Sequence, residues 1–369
     1  MKAPTLADVA RRAGVSYATA DRVVNARGGV ADARADRVRQ AIADLGYVRN
    51  VAAANLSQGR VYRFVFVIPT GTNAFFLHLR MILGAVAPRL RLERTELRIE
   101  DVAAFDAPSL VAVLRALALS PPDGIALVGI DSPEVAAAVA DLTAAGVAVV
   151  TLVSDMPDSA RHAYVGIDNC SAGRTAARLM GLAHARGPGR VLPVLGSLTA
   201  RDHRERLAGF RAVLAQDFPQ IALLPEFEGR DRAELVEQAL ARLFDRGEAL
   251  SGIYSFGAGN SGLARALSRF EGTGKRPVVI VHELTPRTRE ALGTGNFDVV
   301  IDQRPGAEIA LALATMRQIS DRLPAAPIRP IIPAIIFQDN MPDPEDSALL
   351  DAAGLDHTTA PHGRQGGLT

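Results

Sequence analysis

Apolar runs of strand length recur along residues 61–340, and most are followed by a segment of helix length. The predicted strands cover residues 64–68, 124–128, 147–153, 190–195, 252–255 and 278–281. One helix is predicted to start at about Ala74, and three more are predicted over residues 133–145, 171–185 and 204–215. Continuous apolar strands that alternate with helices indicate parallel sheets covered on both faces. A stretch of this length predicts an α/β core of two doubly wound parallel-sheet lobes.

The residues that follow these predicted strands are unusually polar. Ligands of such sheets bind at the carboxyl ends of the strands, and these positions are rich in Asp, Asn, Arg and Gln, with the pair Phe75 and Phe76 after the first strand. Carboxylates and guanidinium groups pair well with neighbouring hydroxyls, and an aromatic ring stacks on the C–H surface of a sugar. The pattern predicts a cleft for a small polar ligand, namely a sugar, a polyol or a sugar acid. Any one of these side chains could instead cap a helix or lie in a solvated loop.

Three short helices are predicted at the start of the chain. Thr5 stands three residues before a carboxylate, which is the spacing of a capping box, and apolar residues then recur on one helix face. Gly14 ends this helix and Ser16 caps a second, so the two are joined as in a helix-turn-helix. Apolar residues between positions 38 and 45 indicate a third helix. The pattern predicts an all-α helix-turn-helix head over residues 1–49.

Charge is distributed unevenly between this head and the rest of the chain. Residues 1–60 contain ten Lys and Arg and five Asp, a net charge of +5 within a chain whose total is +1. A basic head on a slightly acidic body indicates nucleic-acid binding. On the second helix, Arg22 can bond guanine bidentately and Ala18 can contact a thymine methyl group. Ser16, Thr19 and Asn25 are short hydrogen-bonding side chains suited to phosphates.

The head resembles the lactose/galactose repressor (LacI/GalR) family over its whole length. The stretches that carry the resemblance are Leu6-Ala7-Asp8-Val9-Ala10, Ala13-Gly14-Val15-Ser16, Thr19, Arg22-Val23-Val24-Asn25, Val38, Ala41-Ile42, Leu45-Gly46-Tyr47 and Asn50. Together with the contacts predicted above for the second helix, the resemblance implies the following DNA-binding residues: Thr5, Ser16, Tyr17, Ala18, Thr19, Arg22, Asn25, Asn50, Ala53 and Leu56.

The core resembles type I periplasmic sugar-binding proteins over nearly all of residues 61–340. Its most specific stretches are Tyr164–Thr175, Arg206-Leu207-Ala208-Gly209-Phe210 and Val299–Pro305. The resemblance implies that the effector is contacted by Asp155, Asn169, Arg206, Asn260, Glu283 and Gln303. The residues after the first strand add Asn73, Phe75 and Phe76 to this predicted set.

A hinge helix and linker are predicted over residues 50–60. The segment Val51–Ser57 is too short to be helical alone in water. In the family it resembles, Leu56 would be a wedge in the minor groove of the operator, where an apolar side chain unstacks a base step and bends the DNA. The segment is therefore predicted to become helical only on operator DNA, packed against its homodimer partner.

No metal site or cofactor is predicted. The single cysteine, Cys170, and the seven scattered histidines lack metal-ligand spacing, and no glycine-rich phosphate loop follows the first strand. No apolar run is long enough to cross a membrane and none resembles a signal peptide, so a cytoplasmic location is predicted. Residues 341–369 are rich in Pro, Asp and Gly and are predicted to be disordered.

These observations predict a sequence-specific transcription regulator rather than an enzyme. It would act as a homodimeric repressor, controlled by a small polar effector bound between the core lobes. One alternative is a sugar-processing enzyme fused to a DNA-binding head, although no acid/base pair supports it. Another is a transport receptor, which the head and the lack of a signal peptide argue against.

Overall fold

The computed structural model describes seven stretches of the chain, residues 4–24, 28–47, 60–185, 187–257, 259–269, 276–323 and 328–343. The chain divides into two compact units, Met1–Arg60 and Val61–Thr369. Several predicted features lie outside the described residues: Asn25, the hinge positions Asn50, Ala53 and Leu56, and residues 344–369 of the predicted tail. No helix of the described residues is long and apolar enough to cross a membrane.

The first unit contains the three predicted helices, α1 (Leu6–Ala13), α2 (Tyr17–Val24) and α3 (Asp32–Leu45). The capping box at the start of α1 is confirmed: the Asp8 N–H donates to Thr5 Oγ1 at 3.3 Å, and the Thr5 N–H donates to the Asp8 carboxylate at 2.9 Å. This reciprocal pair satisfies two backbone groups that the helix itself cannot bond.

The link between the first two helices is a tight turn. Gly14 follows α1 at a φ of 62°, in the left-handed region that favours glycine. The Ser16 hydroxyl then accepts the Thr19 N–H at 3.2 Å, which caps α2 as the sequence predicts. The buried core of the three helices consists of small side chains: Val9, Ala10, Ala13, Ala20, Val38 and Ala41. An ion pair between Arg12 and Asp44, at 3.0 Å, joins α1 to α3 on the surface.

The second unit begins with a five-stranded sheet that is parallel throughout, in the order β2-β1-β3-β4-β5. Its strands are β1 (Tyr62–Pro69), β2 (Thr95–Val102), β3 (Gly124–Val128), β4 (Ala148–Leu152) and β5 (Ala163–Val165). The connecting helices are α4 (Ala74–Leu92), α5 (Ala107–Leu119) and α6 (Pro133–Ala144). The central strands are buried on both faces, and this layer is called the first lobe.

The second lobe is built on a larger sheet in the order β12-β11-β10-β9-β6-β7, with β8 also paired to β6. Its strands are β6 (Gly189–Leu195), β7 (Ile221–Leu223), β8 (Phe227–Glu228), β9 (Gly252–Ser255), β10 (Val278–His282), β11 (Val299–Asp302) and β12 (Ala334–Ile336). Its helices are α7 (Asn169–Ala183), α8 (Arg201–Asp217), α9 (Ala233–Asp245), α10 (Asn260–Ser268) and α11 (Pro286–Gly293). All pairings are parallel except that of β12 with β11.

The chain passes between the two lobes three times. After β5 it enters the second lobe through α7, and after β11 it returns through α12 (Pro305–Ser320), whose apolar side chains pack in the first-lobe core. It then goes back to β12, and on the way the Ile331 N–H donates to the Gly166 carbonyl at 2.9 Å. The two doubly wound parallel lobes are therefore confirmed, and each is assembled from separate parts of the sequence.

Candidate functional site

The exposed face of the head is formed by the start of α2. Tyr17 is 59% exposed, and Ala18 and Arg22 are also exposed, whereas Ala20 on the opposite side is buried. Ser16 is exposed and Thr19 is half-buried, with their hydroxyl oxygens 2.9 Å apart. Apart from Thr5, the predicted DNA-contacting residues of the described part therefore lie on α2 or at its N-cap, from Ser16 to Arg22 in its last turn.

Thr5 lies at the start of α1, where it is exposed. Its hydroxyl donates to the Asp8 carboxylate at 2.6 Å while its oxygen also accepts the Asp8 N–H. The first turn of α1 leaves backbone N–H groups for an anion, and helix N-termini favour negative ligands such as phosphate. The nearby Asp8 carboxylate would oppose that attraction.

A cavity of about 60 Å³ lies between the two lobes of the core, at the carboxyl ends of their strands. Its first-lobe wall is formed by Pro69, Asn73, Phe75, Phe76, Val102, Ala103, Ala104, Phe105, Val128, Gly129, Ile130, Val153 and Ser154. Its second-lobe wall is formed by Thr199, Ala200, Asp202, His203, Arg206, Asp231, Phe256, Gly257, Glu283 and Gln303. Doubly wound folds bind their ligands at this position, outside the carboxyl ends of the strands.

Arg206 is the cation of this cavity, and it is almost completely buried. Its Nε donates to Asn169 Oδ1 at 2.8 Å and its Nη1 donates to the Phe256 carbonyl at 2.7 Å, whereas Nη2 has no partner. Asn169 also donates to the Val153 carbonyl of the first lobe at 3.2 Å. Asn169 thus holds the guanidinium between the lobes, with one nitrogen left for a ligand.

Glu283 and Gln303 form a buried pair beside Arg206. The Gln303 amide donates to Glu283 Oε1, while Glu283 Oε2 and Gln303 Oε1 have no partner. Burial, reinforced by Asp302, raises the pKa of Glu283 to about 8, although Arg206 and Gln303 act in the opposite direction. Glu283 is therefore mostly protonated at neutral pH and can donate a hydrogen bond as well as accept one.

Two other polar side chains that line the cavity, Ser154 and Asp231, have no hydrogen-bond partner. Ser154 Oγ is buried without a partner. Neither oxygen of Asp231 meets the geometry of a hydrogen bond, and burial raises its pKa, although the Asn73 side chain opposes that rise. Buried polar groups without partners are rare in folded proteins. Their convergence on one cavity indicates a place that a polar ligand would complete.

The backbone has a positive φ at four non-glycine positions that line the cavity, and Val153 and Glu283 are two of them. Val153, after β4, has a φ of 62°, and Glu283, after β10, has a φ of 73°. Positive φ is disfavoured for side chains with a Cβ, above all for a β-branched residue such as Val153. The turn at Val153 lets the Ser154 N–H donate to the Leu152 carbonyl at 2.5 Å and directs Ser154 into the cavity. Such strain is concentrated at functional sites.

Aromatic rings cover part of both walls. The Phe75 and Phe76 ring centroids are 5.6 Å apart. The His203 ring lies between Phe105 of the first lobe and Phe256 of the second, with centroid distances of 6.1 Å and 6.3 Å. These rings exclude water and offer flat apolar surface to a ligand.

The structure brings together six of the nine predicted effector residues in the cavity wall, namely Asn73, Phe75, Phe76, Arg206, Glu283 and Gln303. Asn169 lies behind the wall as the partner of Arg206. Asn260 lies in the adjoining groove, where it donates to the His282 carbonyl at 3.0 Å and accepts from Ser255.

Asp155 is a correction to the predicted set. Its carboxylate accepts from Arg161 Nη2 at 2.6 Å and from the Thr151 hydroxyl at 2.8 Å, and it lies outside the cavity wall. Burial acts to raise the pKa of Asp155, but these hydrogen bonds together with the one from the Met156 N–H lower it. The turn at Val153 directs Ser154 into the cavity. Asp155 lies outside the cavity and forms an ion pair with Arg161.

The wall residues absent from the predicted set include several polar or aromatic ones, among them Phe105, Ser154, Asp202, His203, Asp231 and Phe256. Ser154, Asp202 and Phe256 follow or neighbour predicted strand ends, so the position of the strand could have pointed to them. Asp231 follows β8, which has only two residues and gives no strand signal in the sequence. His203 is on the first turn of α8, and its place in the wall depends on the packing of that helix.

Comparisons with known proteins match both units of the chain. Residues 5–50 match the model of bacterial regulatory proteins of the lacI family, and residues 64–322 match that of the periplasmic binding protein domain. The core of the chain belongs to the periplasmic binding protein family, and its head matches the lacI-family domain.

Two relatives of this chain are named as HTH-type transcriptional regulators. GntR of Pseudomonas aeruginosa is 31% identical over 211 residues, which cover 57% of this chain and 58% of GntR. DegA of Bacillus subtilis is 25% identical over 254 residues, which cover 68% of this chain and 72% of DegA. The chain thus aligns with a little over half of the length of the first of these regulators.

The core has the fold of solved sugar-binding proteins. The crystal structure of GanP, a glucose-galactose binding protein from Geobacillus stearothermophilus, superposes with a TM-score of 0.68 at 22% identity. The match covers 77% of this chain and 99% of GanP. At this identity the likeness describes only the fold of the core.

Proposed function

We propose that the protein is a sequence-specific DNA-binding transcription regulator that acts as a homodimeric repressor. Its head (1–49) and a hinge (50–60) would bind the operator, and its core (61–340) would bind a small polar effector. The sequence predicts a disordered tail from residue 341, but Met341 packs against the core and Arg289 donates to the Pro342 carbonyl, so only residues 344–369 would form the tail. The observation that carries the proposal is the cavity between the lobes, in which buried polar atoms of Ser154, Arg206, Glu283 and Gln303 lack partners, in a chain that also has a lacI-type head.

The buried groups suit a ligand with several hydroxyls. Arg206 Nη2 and a protonated Glu283 can donate hydrogen bonds, whereas Gln303 Oε1 and the Ser154 oxygen can accept them. A sugar or polyol carries both donors and acceptors on adjacent carbons, so it can satisfy all of these atoms at once. The aromatic rings of Phe75 and Phe76 supply the apolar contact that a sugar face needs.

DNA selection from a random library tests the operator part of the proposal. The full chain should enrich one sequence, and its affinity for that sequence should fall steeply with salt because Lys and Arg displace counterions from phosphates. If no sequence is enriched above the random library, the chain is not a sequence-specific DNA-binding protein.

Thermal shift with neutral sugars, polyols and sugar acids tests the effector part, because a ligand that binds only the folded state raises the melting temperature. Ser154→Ala is the matched variant. The Ser154 hydroxyl has no partner, so its removal should leave the free protein as stable as the parent. The variant should lose roughly tenfold in ligand affinity, the usual scale of one hydrogen bond. Equal affinity in the variant would remove Ser154 from the site.

A further inference from the structure

The two walls of the cavity differ in polarity. Among the side chains of the first-lobe wall, only Asn73 and Ser154 are polar, and Val102, Val128 and Ile130 are typical of the rest. The second-lobe wall carries the ionisable and amide side chains: Asp202, His203, Arg206, Asp231, Glu283 and Gln303. The cavity therefore has one face that can exchange several hydrogen bonds and one face of largely C–H surface.

The backbone of the first-lobe wall does not compensate for this difference. Its strand-end groups already take part in hydrogen bonds within the core: the N–H groups of Ala103 and Gly129, and the carbonyl oxygens of Pro69, Val102 and Val153. Asn73 is also engaged, because its side-chain oxygen accepts the Phe75 N–H at 2.9 Å as the cap of α4. Apart from the Ser154 hydroxyl and the Asn73 amide N–H groups, this wall offers few partners, so most hydroxyls placed against it would lose their water without compensation.

The polar wall is also poorly suited to an anion. A carboxylate is bound best by two N–H groups on different nitrogens of one guanidinium, but Arg206 Nε and Nη1 are already bonded to Asn169 and Phe256. Three carboxyl groups, Asp202, Asp231 and Glu283, belong to the same wall. An anion would be repelled by any of these groups that is ionised, whereas a neutral ligand avoids this repulsion and can still use Arg206 Nη2.

We propose that the cavity selects a neutral sugar with one apolar edge, such as a 6-deoxyhexose. Its ring hydroxyls would face Arg206, Glu283 and Gln303 of the second lobe, and its methyl edge would face Val128 and Ile130 of the first lobe. Burial of the methyl group is favourable in this position, whereas a hydroxyl there would be left without a partner. This inference rests on the proposed function, because it names the ligand class of the same site.

Matched pairs of sugars test the inference by isothermal titration calorimetry on the full chain. The pairs are D-fucose with D-galactose, L-rhamnose with L-mannose, and 6-deoxy-D-glucose with D-glucose, and each differs by a single hydroxyl. In the pair whose ring configuration fits the cavity, the deoxy sugar should bind at least about tenfold more tightly than its matched hexose. Gluconate and galactonate should bind more weakly than this deoxy sugar. A hexose that equals its deoxy partner, a sugar acid that binds most tightly, or a failure of all six sugars to bind would overturn the inference.

Val128→Thr is the variant that tests the wall itself, because threonine has nearly the shape of valine and adds one hydroxyl. It should reduce the preference for the deoxy sugar several-fold. Val113→Thr, at a partly buried position of α5 outside the cavity wall, should leave the preference unchanged. An unchanged preference in Val128→Thr would contradict the role of the first-lobe wall.

Operator binding, measured on the same protein, separates this inference from the proposed function. If the parent binds its selected DNA but none of the sugars, the ligand class is wrong and the DNA-binding proposal is unaffected. If the parent selects no DNA but shows the deoxy preference, the cavity inference stands and the regulator proposal fails.

Discussion

Arg206 and Glu283 are buried in the same wall but are stabilised in different ways. The Arg206 guanidinium is stabilised by the hydrogen bonds that it donates to Asn169 and to the Phe256 carbonyl. The Glu283 carboxyl accepts a hydrogen bond from the Gln303 side chain, and burial raises its pKa, which favours the neutral form. Glu308, on α12, is also fully buried, and burial followed by repulsion from Glu283 raises its pKa. Removal of a charge from water is costly, and these carboxyl groups avoid much of that cost by protonation.

The pH dependence of stability should reveal the proton on Glu283. Its pKa of about 8 in the folded protein is above the ordinary value of 4.5, so the folded state holds more protons between these values. The stabilisation is complete below the ordinary value and is lost as the pH rises through 8, by at most about 1.4 kcal/mol per pH unit for one group. Glu283→Gln should be less sensitive to pH than the parent between about pH 6 and pH 8. Urea unfolding at several pH values measures this.

Glu290→Gln is the control for that experiment, because Glu290 is exposed on α11 and pairs with Arg287 on the surface. It should keep the pH dependence of the parent. If Glu283→Gln and Glu290→Gln both follow the parent curve, Glu283 does not carry the proton assigned to it.

Arg22 is the residue on which base recognition is predicted to depend. It is exposed on α2, where a guanidinium can bond guanine O6 and N7 together. Arg22→Ala should weaken operator binding by about 1–3 kcal/mol and relax the preference at one base pair. Arg115→Ala makes the same charge change on an exposed position of α5 and should have little effect. Identical binding of operator and random DNA by Arg22→Ala and the parent would contradict the recognition-helix assignment.

At the scale of elements, the fold could be predicted where a segment is buried on both faces. β1, β3, β4, β6, β9 and β10 are continuous apolar runs, and the structure has a strand at each of them. β2 gave no such signal because it is an edge strand, with Glu96, Arg98 and Glu100 along an incompletely buried segment. The strands β7, β8 and β12 are only two or three residues long, so their pairing depends on contacts that are distant in the sequence.

The predicted site residues were taken from the same strand ends, and the structure places six of the nine in the cavity wall. Either residue 154 or residue 155 could have followed β4 into the cleft, and the family resemblance favoured the carboxylate of Asp155. The positive φ of Val153 decides between them, and it is a feature of tertiary structure that no local pattern announces. The parts of the cavity wall that come from α8 and from the residues after β8 could not be predicted either, because their positions depend on how the lobes pack.

The hinge is the element whose prediction stays untested, since Leu56 lies outside the described residues. A helix of this length should form only when operator DNA and a partner copy support it. Leu56→Ala should therefore lose operator bending and most of the specific affinity, while it binds sugar as the parent does. Hydrogen exchange should show protection of residues 51–57 only on the operator. Equal protection with and without DNA would contradict a conditional helix.

At the scale of the whole molecule, the proposal requires the cavity and the head to influence each other. A ligand shifts an equilibrium only by its difference in affinity for the two states. Coupling free energies of about 1–3 kcal/mol are usual, which correspond to changes in affinity of roughly 5–150-fold. We propose that the sugar acts as an inducer and releases the operator.

Reciprocal linkage tests this central claim most directly. Operator affinity is measured by fluorescence anisotropy with and without a saturating amount of the most tightly bound sugar, and sugar affinity is measured with and without operator. The account predicts that the sugar weakens operator binding at least about fivefold and that the operator weakens sugar binding by the same factor. Ser154→Ala should need more sugar to reach the same effect. A sugar that binds in the cavity and leaves operator affinity unchanged would contradict the account.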